Sequence, residues 1–85
     1  MSHIEIKVLF FASAKEKTGC DSIQLQLPAH TQLYTLKNQL WDLYPTLQTL
    51  QPYLRWALNH QFIDLDEQEL FHGDEIALIP PISGG

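Results

Sequence analysis

The residues best suited to chemistry stand at the end of the sequence, Pro80-Pro81-Ile82-Ser83-Gly84-Gly85. Two prolines impose an extended path, and six extended residues reach about 20 Å at most, enough to thread a cleft in another protein. Prolines have little backbone freedom left to lose, so ordering this stretch costs less than the roughly 1–2 kcal/mol per residue of a flexible tail. Gly84 and Gly85 lack Cβ atoms, so a narrow channel can close on the backbone and a nucleophile can reach the terminal carbonyl carbon unhindered. The carboxylate of Gly85 is then the group presented at the tip. Unaided it is a poor acyl donor, because attack would have to expel oxide. An acyl-phosphate anhydride supplies a leaving group, and a sulfur nucleophile would then yield a terminal thiocarboxylate. A glycine pair alone is more often an ordinary fraying end. Proline stiffening, small size and the order of elements below together favour a working tail.

The rest of the chain offers no visible active site. His3, His30, His60 and His72 are scattered, with no pair at the spacing that brings two imidazoles onto one helical face for a metal. Asp64, Asp66 and Glu75 match three positions of a calcium loop, but Glu69 stands where that loop needs Gly for its bend. The single cysteine, Cys20, excludes an intrachain disulfide and thiolate clusters for zinc or iron–sulfur centres. It reads as an idle exposed thiol in the turn Gly19-Cys20-Asp21, and it points to a reducing, cytoplasmic compartment. No bound cofactor is expected.

What must hold the tail is one small domain, since 85 residues cannot fill two hydrophobic cores. Ile4, Ile6, Val8 and Phe10 alternate as in a strand with one face on the core, and Ile23, Leu25 and Leu27 repeat the pattern as its antiparallel partner. Between them Lys15 to Asp21 reads as a polar connection turning at Gly19. Thr31 is the expected cap of a helix whose apolar stripe is Leu33, Leu36, Leu40, Leu43 and Leu47, with Pro45 ending its regular part. Leu54, Trp56 and Leu58, the turn Asn59-His60 and Phe62-Ile63 read as a third and fourth strand. The continuous run Ile76-Ala77-Leu78-Ile79 suits a strand in the middle of the sheet, buried on both faces. The order β, β, α, β, β, β predicts an α+β fold, a β-grasp, in which a mixed sheet of about five strands carries one main helix across one face. Residues 1–79 would be that domain and 80–85 its extended tail.

Ten acidic against five basic side chains give a net charge of −5, the wrong sign for nucleic acid or a bare anionic membrane. Six carboxylates crowd between Gln61 and Glu75 with no Lys or Arg, so that stretch is either a solvated loop or a docking site for a basic partner. Trp41, Tyr44, Tyr53, Trp56, Phe62 and Phe71 are assigned mostly to the core, with some left over as interface anchors. The run Val8 to Phe11 is too short for a signal peptide, and Glu5 sits where only positive charge is wanted, so the chain reads as soluble and unprocessed.

The chain resembles the small subunits of molybdopterin synthases, which are ubiquitin-like sulfur carriers. The resemblance runs through Val8-Leu9-Phe10-Phe11-Ala12, Lys15-Glu16, Gly19, Ala57-Leu58-Asn59 and, most specifically, Gly73-Asp74-Glu75-Ile76-Ala77-Leu78-Ile79-Pro80-Pro81-Ile82-Ser83-Gly84-Gly85. It implies that an E1-like activating enzyme uses ATP to adenylate Gly85 and that a sulfur donor protein converts the adenylate to a thiocarboxylate. Pro80, Pro81, Ile82, Ser83 and Gly84 would carry it into the large synthase subunit, in a heterotetramer of two small and two large subunits. There the sulfur would pass to cyclic pyranopterin monophosphate, and catalytic side chains would belong to the large subunit. Lys15 in place of a more usual Arg, Lys17 in place of an apolar residue and His72 in place of an acidic one are departures from the pattern. Two other readings share the features: a thiamine-type sulfur carrier, and a ubiquitin-like binding module without tail chemistry.

Overall fold

The structure, a computed structural model, describes residues 2–81. β1 (His3–Phe10) pairs antiparallel with β2 (Ser22–Pro28), Ile6 standing opposite Leu25 and Val8 opposite Ile23. The last strand, β5 (Glu75–Ile79), runs parallel to β1 and antiparallel to β3 (Arg55–Leu58), and β3 pairs with β4 (Gln61–Ile63) at the edge. The sheet order is β2-β1-β5-β3-β4, with β5 at the centre as its apolar run predicts. Asn59 and His60 make the β3–β4 turn with φ of 50° and 74°, the left-handed pair that a tight two-residue hairpin requires.

One face of this sheet is covered. Ile6, Val8, Phe10, Ile76, Leu78 and Trp56 point toward α2 (Leu33–Leu43) and meet Leu33, Leu36, Leu40 and Trp41, all buried. Each fully buried leucine contributes about 1.5–3 kcal/mol, so this layer supplies most of the fold's stability. Pro45 ends α2, and residues Pro45–Tyr53 continue as 3₁₀ turns that bring Leu47 into the core. The two-layer β-grasp arrangement is therefore the one expected.

Several details differ from the reading of the sequence. The stretch Lys15 to Asp21, taken as a polar connection, belongs in its first part to a short helix, α1 (Ala12–Thr18). It buries only Ala14, so no apolar period announces it, and it is closed by Gly19 at φ 78°, whose N–H bonds the Lys15 carbonyl at 2.8 Å. Thr31 is not the cap of α2: its hydroxyl donates to the Pro28 carbonyl at 2.6 Å, closing the turn after β2. The first helical N–H groups are satisfied from elsewhere, Leu33 by the Gln68 carbonyl at 2.8 Å and Tyr34 by the Asp66 carbonyl at 2.9 Å. Leu43, assigned to the buried stripe, is exposed, because Tyr44 and Leu47 occupy the core beneath the last turn of α2. Finally, β5 is not buried on both faces. Ile76 and Leu78 are sealed, whereas Glu75, Ala77 and Ile79 on the other face are only half-buried, since the described helices all lie on one side.

Candidate functional site

The tail leaves from the most constrained strand of the molecule. β5 is held on both edges, Leu78 standing opposite Phe10 on one side and Trp56 on the other, and Ile79 lies opposite Arg55. Pro80 is buried against the body and Pro81 is exposed. Ile82, Ser83, Gly84 and Gly85 lie outside the described residues. Of the six tail positions, the structure thus places the two prolines at the end of the central strand, a fixed base for whatever follows.

Beside that base the uncovered face of the sheet is apolar. Leu9 and Phe11 from the end of β1, Ala77 and Ile79 from β5, Ala57 from β3 and Phe62 from β4 line a shallow hollow of about 250 Å³. Phe11 is 45% exposed and Phe62 56%. Polar groups rim it: Glu75 faces His60 with Oε1 and Nε2 3.7 Å apart, and Arg55 lays its guanidinium over the Phe62 ring, Cζ 3.8 Å from the centroid. Ala12 directly after Phe11 has φ of 51°, a conformation that costs an alanine about 1 kcal/mol and that turns the chain sharply from β1 into α1. Large rings left open beside a strained residue are the usual mark of an interaction surface.

Most of the acidic stretch, by contrast, is engaged within the chain. Asp66 pairs with Lys37 at 2.8 Å and Glu69 with His30 at 2.9 Å. Asp74 accepts from the Phe71 N–H at 2.8 Å and the Asn59 amide at 3.0 Å, while Asn59 accepts from the Glu75 N–H. His72 accepts the Glu5 N–H through Nδ1 at 3.1 Å, so its ring prolongs the ladder of β1 beyond the start of β5. The loop therefore caps α2 and locks onto the β3–β4 turn, the structural alternative to a basic partner. The calcium-loop spacing of Asp64, Asp66 and Glu75 is not gathered into a site: no group of three or more His, Cys, Asp or Glu able to hold a metal occurs among the described residues.

Cys20 is not the exposed thiol expected. It is half-buried against the core, with Sγ 3.8 Å from the Tyr44 hydroxyl. Burial, helped by that hydrogen bond, raises the Tyr44 pKa above its ordinary value. Lys15 pairs with Asp21 at 2.7 Å, and that hydrogen bond and charge raise its pKa too. Of the six aromatics assigned mostly to the core, Trp41 and Trp56 are buried and Tyr44 half-buried, while Tyr53, Phe62 and Phe71 are exposed. No helix among the described residues is long and apolar enough to cross a membrane.

Leu9, Phe11, Ala77 and Ile79 were missed as site residues by sequence reasoning, yet a signal was present. In β1 and β5 apolar side chains fill consecutive positions, which is called for only when both faces meet something. With one main helix in the sequence, the second face of these strands was left with no element of the chain to cover it.

Comparison with known proteins agrees with this architecture. A family model described as the ThiS family matches residues 8–85. The chain is similar to the molybdopterin synthase sulfur carrier subunit of Arabidopsis thaliana, at 38% identity over 84 residues, covering 99% of this chain and 86% of that one. Among solved structures it resembles SAMP1 from Haloferax volcanii, with a TM-score of 0.84 at 22% identity, covering 95% and 99% of the two chains; that likeness concerns the fold. It also resembles a chain in the complex of subunits 1 and 2 of molybdopterin-converting factor from Helicobacter pylori, with a TM-score of 0.76 at 28% identity over 96% and 100%.

Proposed function

The chain belongs to the ThiS family, and from that premise we propose that it is the sulfur carrier subunit of a molybdopterin synthase. In this reading the Gly85 carboxylate attacks the α-phosphorus of ATP within an E1-like enzyme, and pyrophosphate leaves. The terminal sulfur of a donor-protein persulfide then displaces AMP at the carbonyl carbon, and a thiol cleaves the resulting acyl disulfide, which leaves the thiocarboxylate and carries the donor sulfur away as a disulfide. The tail, Pro80 to Gly85, enters the large subunit, where sulfur passes to cyclic pyranopterin monophosphate and water restores the carboxylate. Two such rounds supply the two sulfurs of the dithiolene. This chain gives the reacting carbon and its sulfur; the large subunit gives the acid–base groups. It binds no cofactor of its own, and the assembly is a cytoplasmic heterotetramer of two small and two large subunits.

The observation that carries the reading is the pairing of a tail base at the end of the central strand with an open apolar face immediately beside it. The Leu9, Phe11, Phe62 and Ile79 surface docks the large subunit, and docking fixes where the prolines aim the tail. A solved complex of a related small subunit with its large subunit supports a partner of this kind.

Intact-mass analysis of the protein made alongside its own sulfur machinery tests the chemistry: one oxygen should be exchanged for one sulfur, at Gly85. Adding a single alanine after Gly85 should abolish adenylation and leave folding untouched. A module that only binds would be indifferent to that alanine. A thiamine-type carrier would gain sulfur but would not support dithiolene formation with the large synthase subunit.

A further inference from the structure

The two edges of the sheet are guarded very differently. β4 offers only Gln61–Ile63 and runs straight into Asp64 and Asp66, and Arg55 lies over its Phe62 ring. Short length and nearby charge are the usual protection against the addition of another strand. β2 has neither. It runs from Ser22 to Pro28 in unbroken antiparallel register with β1, its proline stands at the far end, and no Asp, Glu, Lys or Arg occurs from Ser22 to Leu36.

The parity of that register fixes which backbone groups are free. The Phe10 N–H donates to the Asp21 carbonyl at 2.8 Å and the Ala29 N–H to the Ser2 carbonyl at 2.8 Å, and both pairs continue the β1–β2 register. Antiparallel hydrogen bonds fall on alternate residues, so Ile23, Leu25 and Leu27 turn their N–H and C=O groups to β1. Ser22, Gln24 and Gln26 turn theirs outward, past the end of the sheet. Side chains follow the same alternation. Leu27 is sealed in the core, Ile23 and Leu25 are half-buried at its rim, and Gln24 and Gln26 are exposed on the other face.

This pattern is complementary to itself. Laid antiparallel to a second copy about a two-fold axis at Gln24, β2 sets Gln24 opposite Gln24 and Ser22 opposite Gln26 of the second copy, and each outward N–H meets an outward C=O. The Gln24 side chains then meet amide to amide, each both donor and acceptor. On the core side Ile23 falls opposite Leu25 of the second copy, so each half-covered rim covers the other. Charge selects the same occupant. A chain of net charge −5 repels its copy over most of its surface, and this uncharged edge is where two copies meet with least repulsion.

We propose that the free chain self-associates through β2, two sheets joining into one across a two-fold axis at Gln24. The inference is independent of the function proposed above. No residue of β2 lines the apolar hollow, so the pairing leaves the open face and the tail base free in both copies. Pairing along one edge buries less than about 1,000 Å², which makes the dimer weak, with a Kd on the order of 100 µM.

Sedimentation equilibrium and amide hydrogen exchange of the full chain, from about 10 µM to about 1 mM, test the pairing. The average mass should rise toward that of a dimer. Exchange at the Ser22, Gln24 and Gln26 amides should slow several-fold over that range, while the Ile23, Leu25 and Leu27 amides stay protected throughout. Gln24→Lys sets two ammonium groups against each other at the axis and should weaken association about tenfold or more. Gln24 is exposed, so this variant keeps the fold. A monomer at every concentration, exchange at Gln24 and Gln26 that ignores concentration, or undiminished association in Gln24→Lys would overturn the proposal. Self-association that Phe11→Asp removes and Gln24→Lys spares would also overturn it, by placing the second copy on the open face.

Discussion

Between β4 and β5 the chain carries its densest charge; at the centre of the open sheet face, a few residues away in space, it carries none. In the loop, Asp66, Glu69 and Asp74 meet Lys37, His30 and Asn59, and the backbone carbonyls of Asp66 and Gln68 close the start of α2. On the face, Phe11 and Phe62 stand open, with no element of the described structure above them. Charge density thus marks a segment used for folding, and unspent apolar area marks the face proposed above to dock the large subunit. Exposed ion pairs return at most about 1 kcal/mol each, so the loop gains its hold through backbone capping and through Leu70, which is fully buried.

The comparison predicts that damage to the two regions is read by different instruments. The largest effect is expected from Leu70→Ala, which should destabilise the fold by about 2–5 kcal/mol in urea titration, as buried leucines do. The affinity of the molecules that remain folded for the large subunit should not change. A loss of affinity beyond the loss of folded protein would mean that the loop is itself part of the interface.

Phe11→Asp is the converse. A charge at the centre of an apolar contact should lower affinity for the large subunit about a hundredfold, equivalent to about 2.7 kcal/mol, with the urea midpoint nearly unmoved. Charge reversal of Glu67, an exposed loop residue, should change that affinity less than twofold. Calorimetric titration of both variants against one large-subunit preparation checks the pair, and equal losses would erase the distinction.

A smaller effect, about 1–3 kcal/mol of stability, is expected from Asp74→Ala, because the variant leaves the Phe71 N–H and the Asn59 amide without their acceptor. Hydrogen exchange should show faster opening of residues 71–75 and leave β1 and β2 protected. Uniform acceleration over the sheet would show that the latch is global rather than local.

Much of this was legible from the chain alone. The alternation in β1 and β2, the stripe from Leu33 to Leu40, the Asn59-His60 hairpin and the apolar run of β5 each obey a short-range rule, and the strands and helix follow. The failures share a cause. Whether Thr31 or a distant carbonyl caps α2, whether Tyr44 displaces Leu43 from the core, and whether α1 forms around a single buried Ala14 all depend on residues far away in sequence. The same limit hid the open apolar face. Periodicity tells which side chains need cover, but it cannot count the layers available to cover them, so Ala77 and Ile79 were read as buried within the domain when no described helix lies over that face. The Gly-Gly chemistry proposed above could be put forward from the sequence because it calls for no tertiary contact within this chain.

The smallest effect concerns the backbone that presents the face. Ala12 holds φ at 51°, where its Cβ crowds the carbonyl and costs about 1 kcal/mol relative to glycine. Ala12→Gly removes that strain and adds roughly 0.4–1 kcal/mol of unfolded-chain entropy, so the two nearly cancel and stability should move by less than about 1 kcal/mol. Affinity for the large subunit should nevertheless fall a few-fold. The reason is that Phe11 is the last residue before α1, and glycine at the next position widens the range of directions from which its ring meets the partner. The effect should appear as faster dissociation rather than slower association. If Ala12→Gly binds as tightly as the parent, Phe11 is held by its contacts on the sheet, with Leu9 and Ile79 as its neighbours in the hollow, and the strained alanine serves only to turn the chain into α1.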